Sequence, residues 1–194
     1  IYYVVNEKYR CGRNLKNFNN FIGLPLSIFQ FDDSLEVVVL EMGMSDFGEI
    51  DRLASIVKPH IGVITNIGVA HMESLGSREG IFQAKMEIAK HIAGDDELPG
   101  TLIYASDSEF LTKERTKGNY DQISVGEKGK DDYIISSVDD FGMDGIKFTL
   151  EHAQKVRQIS LPLPGRHNAI NSALAVAVGD LLGISPEEET DGLA

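Results

Sequence analysis

Short apolar runs alternate with amphipathic stretches along the first two thirds of the chain. Four runs rich in β-branched residues predict buried strands, at 35–42, 61–68, 101–108 and 122–126. Three helices are predicted after the first three of these strands, over about 48–58, 77–94 and 109–117. Because strands and helices alternate in this way, the pattern predicts an α/β fold with a mostly parallel sheet flanked by helices.

Capping residues indicate where several helices begin. Ser45 or Asp46 is available as a cap for the first of these helices, and Ser77 precedes the second. Near the end of the sequence, Ser185 is followed by Pro186, a pair typical of a helix start. At the other end, the apolar residues of 1–5 are typical of the last turns of a helix.

The pattern changes at residue 131. Three strands joined by turns at 141–145 and near 152–154 predict a small antiparallel β meander within 131–163. A long apolar helix should follow and end at Gly183. We predict one domain over 1–194, with an α/β body at 1–130 and 164–194 and the antiparallel β segment between them.

Composition excludes some function classes and leaves the fold prediction unchanged. Apolar residues make up 42% and charged residues 25% of the chain, values that suit a globular domain with a sizeable core. The formal charge of −12 argues against binding to nucleic acid or to anionic membranes. Cys11 is the single cysteine, so no intrachain disulfide forms, and a cytoplasmic location is expected. No apolar run approaches the roughly 20 residues of a membrane span.

Lys85 is an unexpected residue on the second predicted helix. At 100° per residue it lies in the same stripe as Ile81, Ile88 and Ile92, which should face the sheet. Its aliphatic stem can pack there while the ammonium reaches water. Alternatively, the lysine lies in a partly desolvated site, paired with a carboxylate or having a lowered pKa.

Glu41 and His71 each follow a predicted strand. Glu41 stands at the carboxyl end of its strand, where open α/β sheets place their ligands, and a glutamate there needs a partner. His71 follows the next strand, so both side chains can reach one crevice beside a phosphate and bind Mg²⁺ or Mn²⁺. The alternative is that His71 is structural or merely exposed.

Two further segments carry polar side chains at helix starts. Gly165 precedes His167 and Asn171, which share a helix face that otherwise continues with apolar residues. This arrangement suits contact with an anionic or polar group, although His167 and Asn168 can equally be simple caps. Asn20 lies in a loop before a Gly-Leu-Pro turn. The glycine-rich phosphate-binding and nucleophile-elbow motifs are absent from the sequence.

Taken together and in order, four segments resemble the central domain of the Mur ligases. They read NFNNFIGLPL, VVVLEMGMSDFGEI, ITNIGVAHMESLGSREGIFQAKMEI and LPLPGRHNAINSALAVA. The resemblance implies a P-loop NTPase-like fold and an ATP-dependent ligase that forms an amide through an acyl phosphate. The second and third segments are most similar to members that join D-alanyl-D-alanine to UDP-MurNAc-tripeptide in peptidoglycan synthesis. A monomer is expected.

The resemblance also implies a catalytic role for three residues. Glu41 would bind a magnesium ion at the γ-phosphate of ATP, and His71 a second magnesium ion. Lys85 matches a lysine that many members carry as a carbamate, which can help to hold the second metal.

For the nucleotide, the resemblance implies contacts from five asparagine and histidine residues. Asn20 would lie near the γ-phosphate, and Asn66, at the end of a strand, would face the same crevice. Asn168 and Asn171 would lie beside the adenine and ribose, with His167 supporting them.

One departure from the family pattern bears on activity. Members carry a P-loop upstream of the region where this sequence begins, so we expect a fragment that lacks the P-loop and the terminal domains. Such a fragment should bind Mg-ATP poorly and catalyse nothing by itself. Other amino-acid ligases of the superfamily, of the folylpolyglutamate or cyanophycin type, remain alternatives, as does a non-catalytic nucleotide-binding scaffold.

Overall fold

The computed structural model describes residues 1–15 and 17–194. The described residues form seven α-helices: α1 Tyr2–Asn6, α2 Gly23–Ile28, α3 Glu49–Val57, α4 Met72–Leu75, α5 Arg78–Met86, α6 His167–Leu181 and α7 Pro186–Leu193. The same two ranges contain eight strands: β1 Cys11–Arg13, β2 Val37–Val39, β3 Ile61–Ile64, β4 Thr101–Ala105, β5 Asp121–Gly126, β6 Tyr133–Asp140, β7 Ile146–His152 and β8 Lys155–Leu161. Within this part of the chain, no helix is long and apolar enough to cross a membrane.

The strands form two sheets. β1 and β2 make a parallel pair in which Cys11 lies opposite Val37 and Arg13 opposite Val39. The larger sheet has the order β3-β4-β5-β6-β7-β8, parallel from β3 to β6 and antiparallel from β6 to β8. The α/β fold with a mostly parallel sheet is therefore confirmed, and the antiparallel strands continue the same sheet. Our division of the chain at 131 and 163 remains a prediction.

The larger sheet, which contains β4, is the middle layer between α5 on one face and α6 on the other. The side chains of β4 alternate between two hydrophobic clusters, because successive residues of a strand point to opposite faces. Ile103 and Ala105 join the cluster that contains α6, and Leu102 and Tyr104 join the cluster that contains α5. All four side chains have no exposed surface. Helices on both faces thus bury this strand completely, as its uninterrupted apolar sequence predicts.

The helix predicted over 109–117 is wrong. The chain makes turns there, and polar side chains hold them: the Thr116 hydroxyl donates to the Thr112 carbonyl, and the Tyr120 hydroxyl donates to the Thr116 carbonyl. The segment lacks an apolar stripe, so tertiary packing does not favour a helix, and local side-chain bonds to the backbone prevail.

Other boundaries differ from the prediction in smaller ways. The helix predicted over 77–94 is α-helical only to Met86 and continues as a 3₁₀ helix to His91, and Ser77 caps it by accepting from the Gly80 amide. Neither Ser45 nor Asp46 caps α3. Instead, the buried carboxylate of Glu87 accepts the Gly48 and Asp51 amides, at 2.8 and 3.1 Å. A distant residue supplies the cap, which local spacing does not reveal.

Candidate active site

Two groups of candidate residues, those after β3 and those at the start of α6, lie at one edge of the larger sheet. β3, β4 and β5 are parallel, and β8 runs the same way, because two antiparallel pairings reverse the chain twice after β6. α6 begins just after β8, so its amino end lies at the edge where β3 to β5 end. An ion pair of Arg166 with Glu127, with N–O distances of 2.9 and 3.0 Å, joins this helix start to the end of β5.

Glu41 follows β2 and has an exposed side chain. Its Oε1 accepts a hydrogen bond of 2.8 Å from the Asn19 amide group. Asn14 bonds to the backbone of Glu41 on both sides: Oδ1 accepts the Glu41 N–H, and Nδ2 donates to the Glu41 carbonyl. Gly43 permits this close packing, since a Cβ there would lie 2.9 Å from the side chain of Asn19.

Lys85 lies beside Asn66 rather than beside a carboxylate. Its Nζ donates to the Asn66 carbonyl at 2.8 Å and to Asn66 Oδ1 at 3.1 Å. Burial lowers the pKa of the Lys85 ammonium below its ordinary value. Of the possibilities that the sequence left open, the lowered pKa agrees with the structure, while the hydrogen bonds of Lys85 are with Asn66 and not with a carboxylate. α5 thus binds the loop after β3 through half-buried Lys85 and through Arg78, which donates to the Ile67 carbonyl at 3.1 Å.

His71 is exposed and begins α4, with a left-handed backbone (φ 66°). The helix it starts is a single turn that the hydrophobic pattern did not predict. In the part of the chain described by the structure, no three His, Cys, Asp or Glu side chains form a group able to hold a metal ion. The expected convergence of Glu41 and His71 on one crevice beside a phosphate involves only two protein ligands and stays a prediction.

Asn20 caps α2, since its Oδ1 accepts the Ile22 and Gly23 amides at 3.1 and 2.8 Å. The amide of Asn168 donates to the Pro164 carbonyl at 2.7 Å and holds the turn before α6. Gly165 has a φ of 98°, and a Cβ there would lie 2.7 Å from the His167 ring. The glycine is thus required both for the turn and for the packed imidazole.

Asn171 and His167 are both exposed, four residues apart on the first turns of α6. They lie on an accessible helix start with Asn168 between them. Three groups of candidate residues result, namely the Glu41 group after β2, the Asn66–Lys85 pair after β3, and the start of α6.

The donors present fit a magnesium ion bound mainly by a nucleotide. Mg²⁺ takes one or two carboxylates and fills its other positions with phosphate oxygens and water. Glu41 offers such a carboxylate, with one oxygen engaged by Asn19. Lys85, as an ammonium that donates to Asn66, does not fit as a ligand. A carbamate at this position would supply oxygen ligands in place of the ammonium.

Sequence reasoning missed Asn14 and Asn19, the two residues that hold Glu41. Both belong to an asparagine-rich segment, Asn14 to Asn20, that directly follows β1. Because β1 pairs in parallel with β2, the segment after β1 lies beside the segment after β2. The asparagine-rich composition, together with the parallel pairing of β1 and β2, could have identified Asn14 and Asn19 as partners of Glu41.

The model of the Mur ligase middle domain family matches residues 2–179. Over its whole length the chain is 39% identical to UDP-N-acetylmuramoyl-tripeptide–D-alanyl-D-alanine ligase of Bacillus subtilis, and it covers 40% of that protein. The chain thus spans about two fifths of the length of the curated relatives it matches.

Solved structures of MurF ligases match nearly the whole chain. A crystal structure of MurF from Acinetobacter baumannii matches with a TM-score of 0.89 and 30% identity, over 98% of this chain and 41% of that one. MurF ligase from Thermotoga maritima in complex with ADP matches with a TM-score of 0.82 and 28% identity, over 95% of this chain and 42% of that one.

Proposed function

This chain belongs to the Mur ligase family, whose middle domain it forms, and we propose that the whole protein joins D-alanyl-D-alanine to UDP-MurNAc-tripeptide with ATP. The observation that carries the proposal is 39% identity over the full chain to a ligase with this named reaction. The placement of Glu41, Lys85 and the start of α6 supports it. UDP-MurNAc-tripeptide and D-Ala-D-Ala are thus the proposed substrates, and ATP with two Mg²⁺ ions the proposed cofactors.

The reaction consists of two transfers. A carboxylate oxygen of the tripeptide attacks the γ-phosphorus, the bond to the β,γ-bridging oxygen breaks, and ADP leaves. The amine of the dipeptide then attacks the acyl carbon, inorganic phosphate leaves, and the amine loses a proton as the amide forms. Charge on the transferring phosphoryl group is the main electrostatic difficulty of the first step, and bound Mg²⁺ neutralises it.

Glu41 is proposed to ligate the magnesium ion at the γ-phosphate. The hydrogen bond from Asn19 limits the orientations of the carboxylate, and the bonds from Asn14 fix the backbone that carries it. A ligand held in this way loses less conformational freedom when the metal binds. His71 is proposed as a ligand of the second magnesium ion, from the accessible start of α4.

Lys85 is proposed to act after reaction with CO₂. The neutral amine attacks the carbon, a C–N bond forms, and the nitrogen loses a proton to give a carbamate with a negative charge. Burial favours the neutral amine that this step requires, because it lowers the pKa of the ammonium. Asn66, now the partner of the ammonium, would then face a carbamate to which its amide NH₂ can donate.

The nucleotide is proposed to lie between the asparagine segment after β1 and the start of α6. Asn20 would face the γ-phosphate and Asn66 the same crevice. Asn168 and Asn171 would face the adenine and ribose, with His167 supporting them. The asparagine segment, the loop after β3 and the start of α6 each offer exposed amide or imidazole groups. Such groups can bond to a base and a sugar without carrying charge.

Phosphate release by the full-length protein tests the function. We expect release from ATP, Mg²⁺ and UDP-MurNAc-tripeptide that depends on D-Ala-D-Ala. Glu41→Gln should lower kcat by about 10²-fold or more, because an amide is a poor ligand for Mg²⁺. Glu187→Gln, which changes an exposed carboxylate on α7, is the matched control and should leave the rate unchanged.

Other results would redirect the proposal. Release that depends on a different amine would indicate a sister ligase with the same fold. A full-length protein that binds ATP but releases no phosphate with any amine would instead indicate a nucleotide-binding scaffold.

A further inference from the structure

Asn14 is a buried polar residue that the proposed reaction does not use directly. It follows β1 and is 8% exposed. Its amide makes three hydrogen bonds: Oδ1 accepts the Glu41 N–H at 3.0 Å, and Nδ2 donates to the Glu41 carbonyl at 3.1 Å and to the Phe18 carbonyl at 2.9 Å. Three of the four hydrogen-bonding positions of the amide are thus engaged with backbone.

The position of Asn14 explains why a side chain makes these bonds. The backbone ladder between β1 and β2 ends where Arg13 lies opposite Val39. Beyond that point, the Asn14 amide takes the place of a strand backbone, since it offers one acceptor and one donor to the N–H and carbonyl of Glu41. The backbone of Glu41, two residues beyond β2, is therefore held by a side chain without a paired strand.

The same amide also connects two parts of the candidate site. Its third bond holds Phe18, the residue before Asn19, and Asn19 donates to the Glu41 carboxylate at 2.8 Å. The Gly43 amide in turn donates to the Asn19 carbonyl at 2.8 Å. One buried side chain thus fixes both the backbone of Glu41 and the loop that orients the Glu41 carboxylate.

We propose that Asn14 is a positioning residue for Glu41, which sets the place of the metal-binding carboxylate through the backbone. The inference rests on the proposed function of Glu41 and goes beyond it. An aspartate has the same shape but lacks both donors, and it would set an oxygen against the Glu41 and Phe18 carbonyls. The donors of the amide, rather than its volume, are what the position requires.

The test uses full-length protein with Asn14→Asp and Asn14→Ala. Ser27→Ala is the matched control, because Ser27 is also buried and its hydroxyl donates to a backbone carbonyl, that of Gly23, without touching Glu41. Two quantities are measured: the affinity for Mn²⁺ in the presence of a non-hydrolysable ATP analogue, by electron paramagnetic resonance, and hydrogen exchange of the peptide that contains Glu41, by mass spectrometry. Thermal unfolding is recorded for each variant.

Both Asn14 variants should weaken Mn²⁺ binding by about tenfold or more, the size of effect usual for residues that orient a metal ligand. In Asn14→Ala the Glu41 amide should exchange about tenfold faster or more, because it loses its acceptor. Asn14→Asp keeps that acceptor, so the effect of the lost donors is measured by Mn²⁺ binding. Ser27→Ala should change neither quantity, even if it lowers the unfolding temperature as much as the Asn14 variants do. The isosteric Asn14→Asp keeps the test decisive if Asn14→Ala does not fold.

Unchanged exchange at Glu41 in Asn14→Ala, or Mn²⁺ binding by either variant within twofold of the parent protein, would overturn the positioning role. If the parent protein itself binds no Mn²⁺ with the ATP analogue, the proposed function of Glu41 is contradicted, while the exchange rate still decides whether Asn14 fixes Glu41. The two failures are therefore distinguishable.

Discussion

At the scale of single residues, the candidate site is built mainly from side chains that bond to backbone. Asn14, Asn20 and Asn168 each engage main-chain groups, and Lys85 donates to a main-chain carbonyl. Such bonds fix loops that have no regular secondary structure of their own, which is the usual setting of functional residues. Roles of capping and of ligand binding can therefore coexist in one residue and need separate tests.

Variants of Asn20 can separate its role at the start of α2 from its proposed contact with the nucleotide. Asn20→Ala should destabilise the chain by about 1 kcal/mol, because the first amides of α2 lose their acceptor. Asn20→Asp keeps an acceptor and should restore the free energy of unfolding, measured by urea denaturation. If full-length Asn20→Asp also keeps its affinity for ATP, the residue is a cap and the proposed contact with the γ-phosphate is wrong.

Lys85 gives a second prediction at this scale. Since burial lowers the pKa of its ammonium, Lys85 has a larger neutral fraction at a given pH than an exposed lysine, and should form a carbamate at lower pH. With ¹³C-labelled bicarbonate, full-length protein should show a carbamate carbon resonance. Lys85→Arg should abolish the resonance, whereas Lys117→Arg, at an exposed site, should keep it. A resonance that survives Lys85→Arg would belong to another amine.

At the scale of elements, a buried network of charges joins α6, α7 and β8. Arg157 on β8 contacts both oxygens of Asp180, at 2.6 and 2.7 Å, and also binds Glu189 on α7. Tyr133 donates to Asp180 at 2.8 Å. One guanidinium thus serves two carboxylates, and the second oxygen of Glu189 has no hydrogen-bond partner among the described residues. Burial, with the charge of Asp180, raises the pKa of Glu189 to about 7.

This network predicts a pH dependence of stability. Between pH 4.5 and about 7 the folded state keeps the Glu189 proton that the unfolded state loses, so the free energy of unfolding falls as pH rises. Glu189→Gln removes the effect and should be more stable than the parent chain at pH 8, by about 2 to 3 kcal/mol. The difference should vanish near pH 4. Glu187→Gln is the exposed control, and an equal gain in that variant would contradict the assignment.

Glu87 gives a second prediction for an element. Its buried carboxylate caps α3 from the 3₁₀ helix that follows α5. Glu87→Ala should cost about 1 to 3 kcal/mol, because two helix amides lose a charged acceptor. Ser45→Ala should have no comparable effect on the urea midpoint, because the Ser45 side chain does not cap the helix. A larger loss of stability in Ser45→Ala than in Glu87→Ala would instead support the local cap predicted from the sequence.

At the scale of the whole molecule, two hydrophobic clusters lie on opposite faces of the larger sheet. Ile103 belongs to the cluster with α6, and Ile81 to the cluster with α5. Ile103→Val and Ile81→Val should each lower the free energy of unfolding by about 0.5 to 1.5 kcal/mol. Because the two residues share no cluster, the double variant should equal the sum within about 0.5 kcal/mol. A larger discrepancy would mean that the faces are coupled through β4.

The sequence by itself determined the alternation of strands and helices, the three antiparallel strands, and the caps at Ser77 and Ser185. Each depends on neighbours within a few residues, such as apolar periodicity or a hydroxyl three residues before an amide. The family resemblance likewise rested on contiguous segments. Local physical chemistry suffices for such features, because the interacting groups are close in the chain.

Only the tertiary structure decided the partners of the site residues. Glu87 caps a helix 36 to 39 positions earlier, Lys85 pairs with Asn66 rather than with Glu41, and Asn14 binds Glu41 across 27 positions. The stretch at 109–117 buries Leu111 in the cluster with α5, yet local side-chain bonds hold it in turns. Bonds across such separations follow from strand order and helix packing, which a linear pattern does not contain.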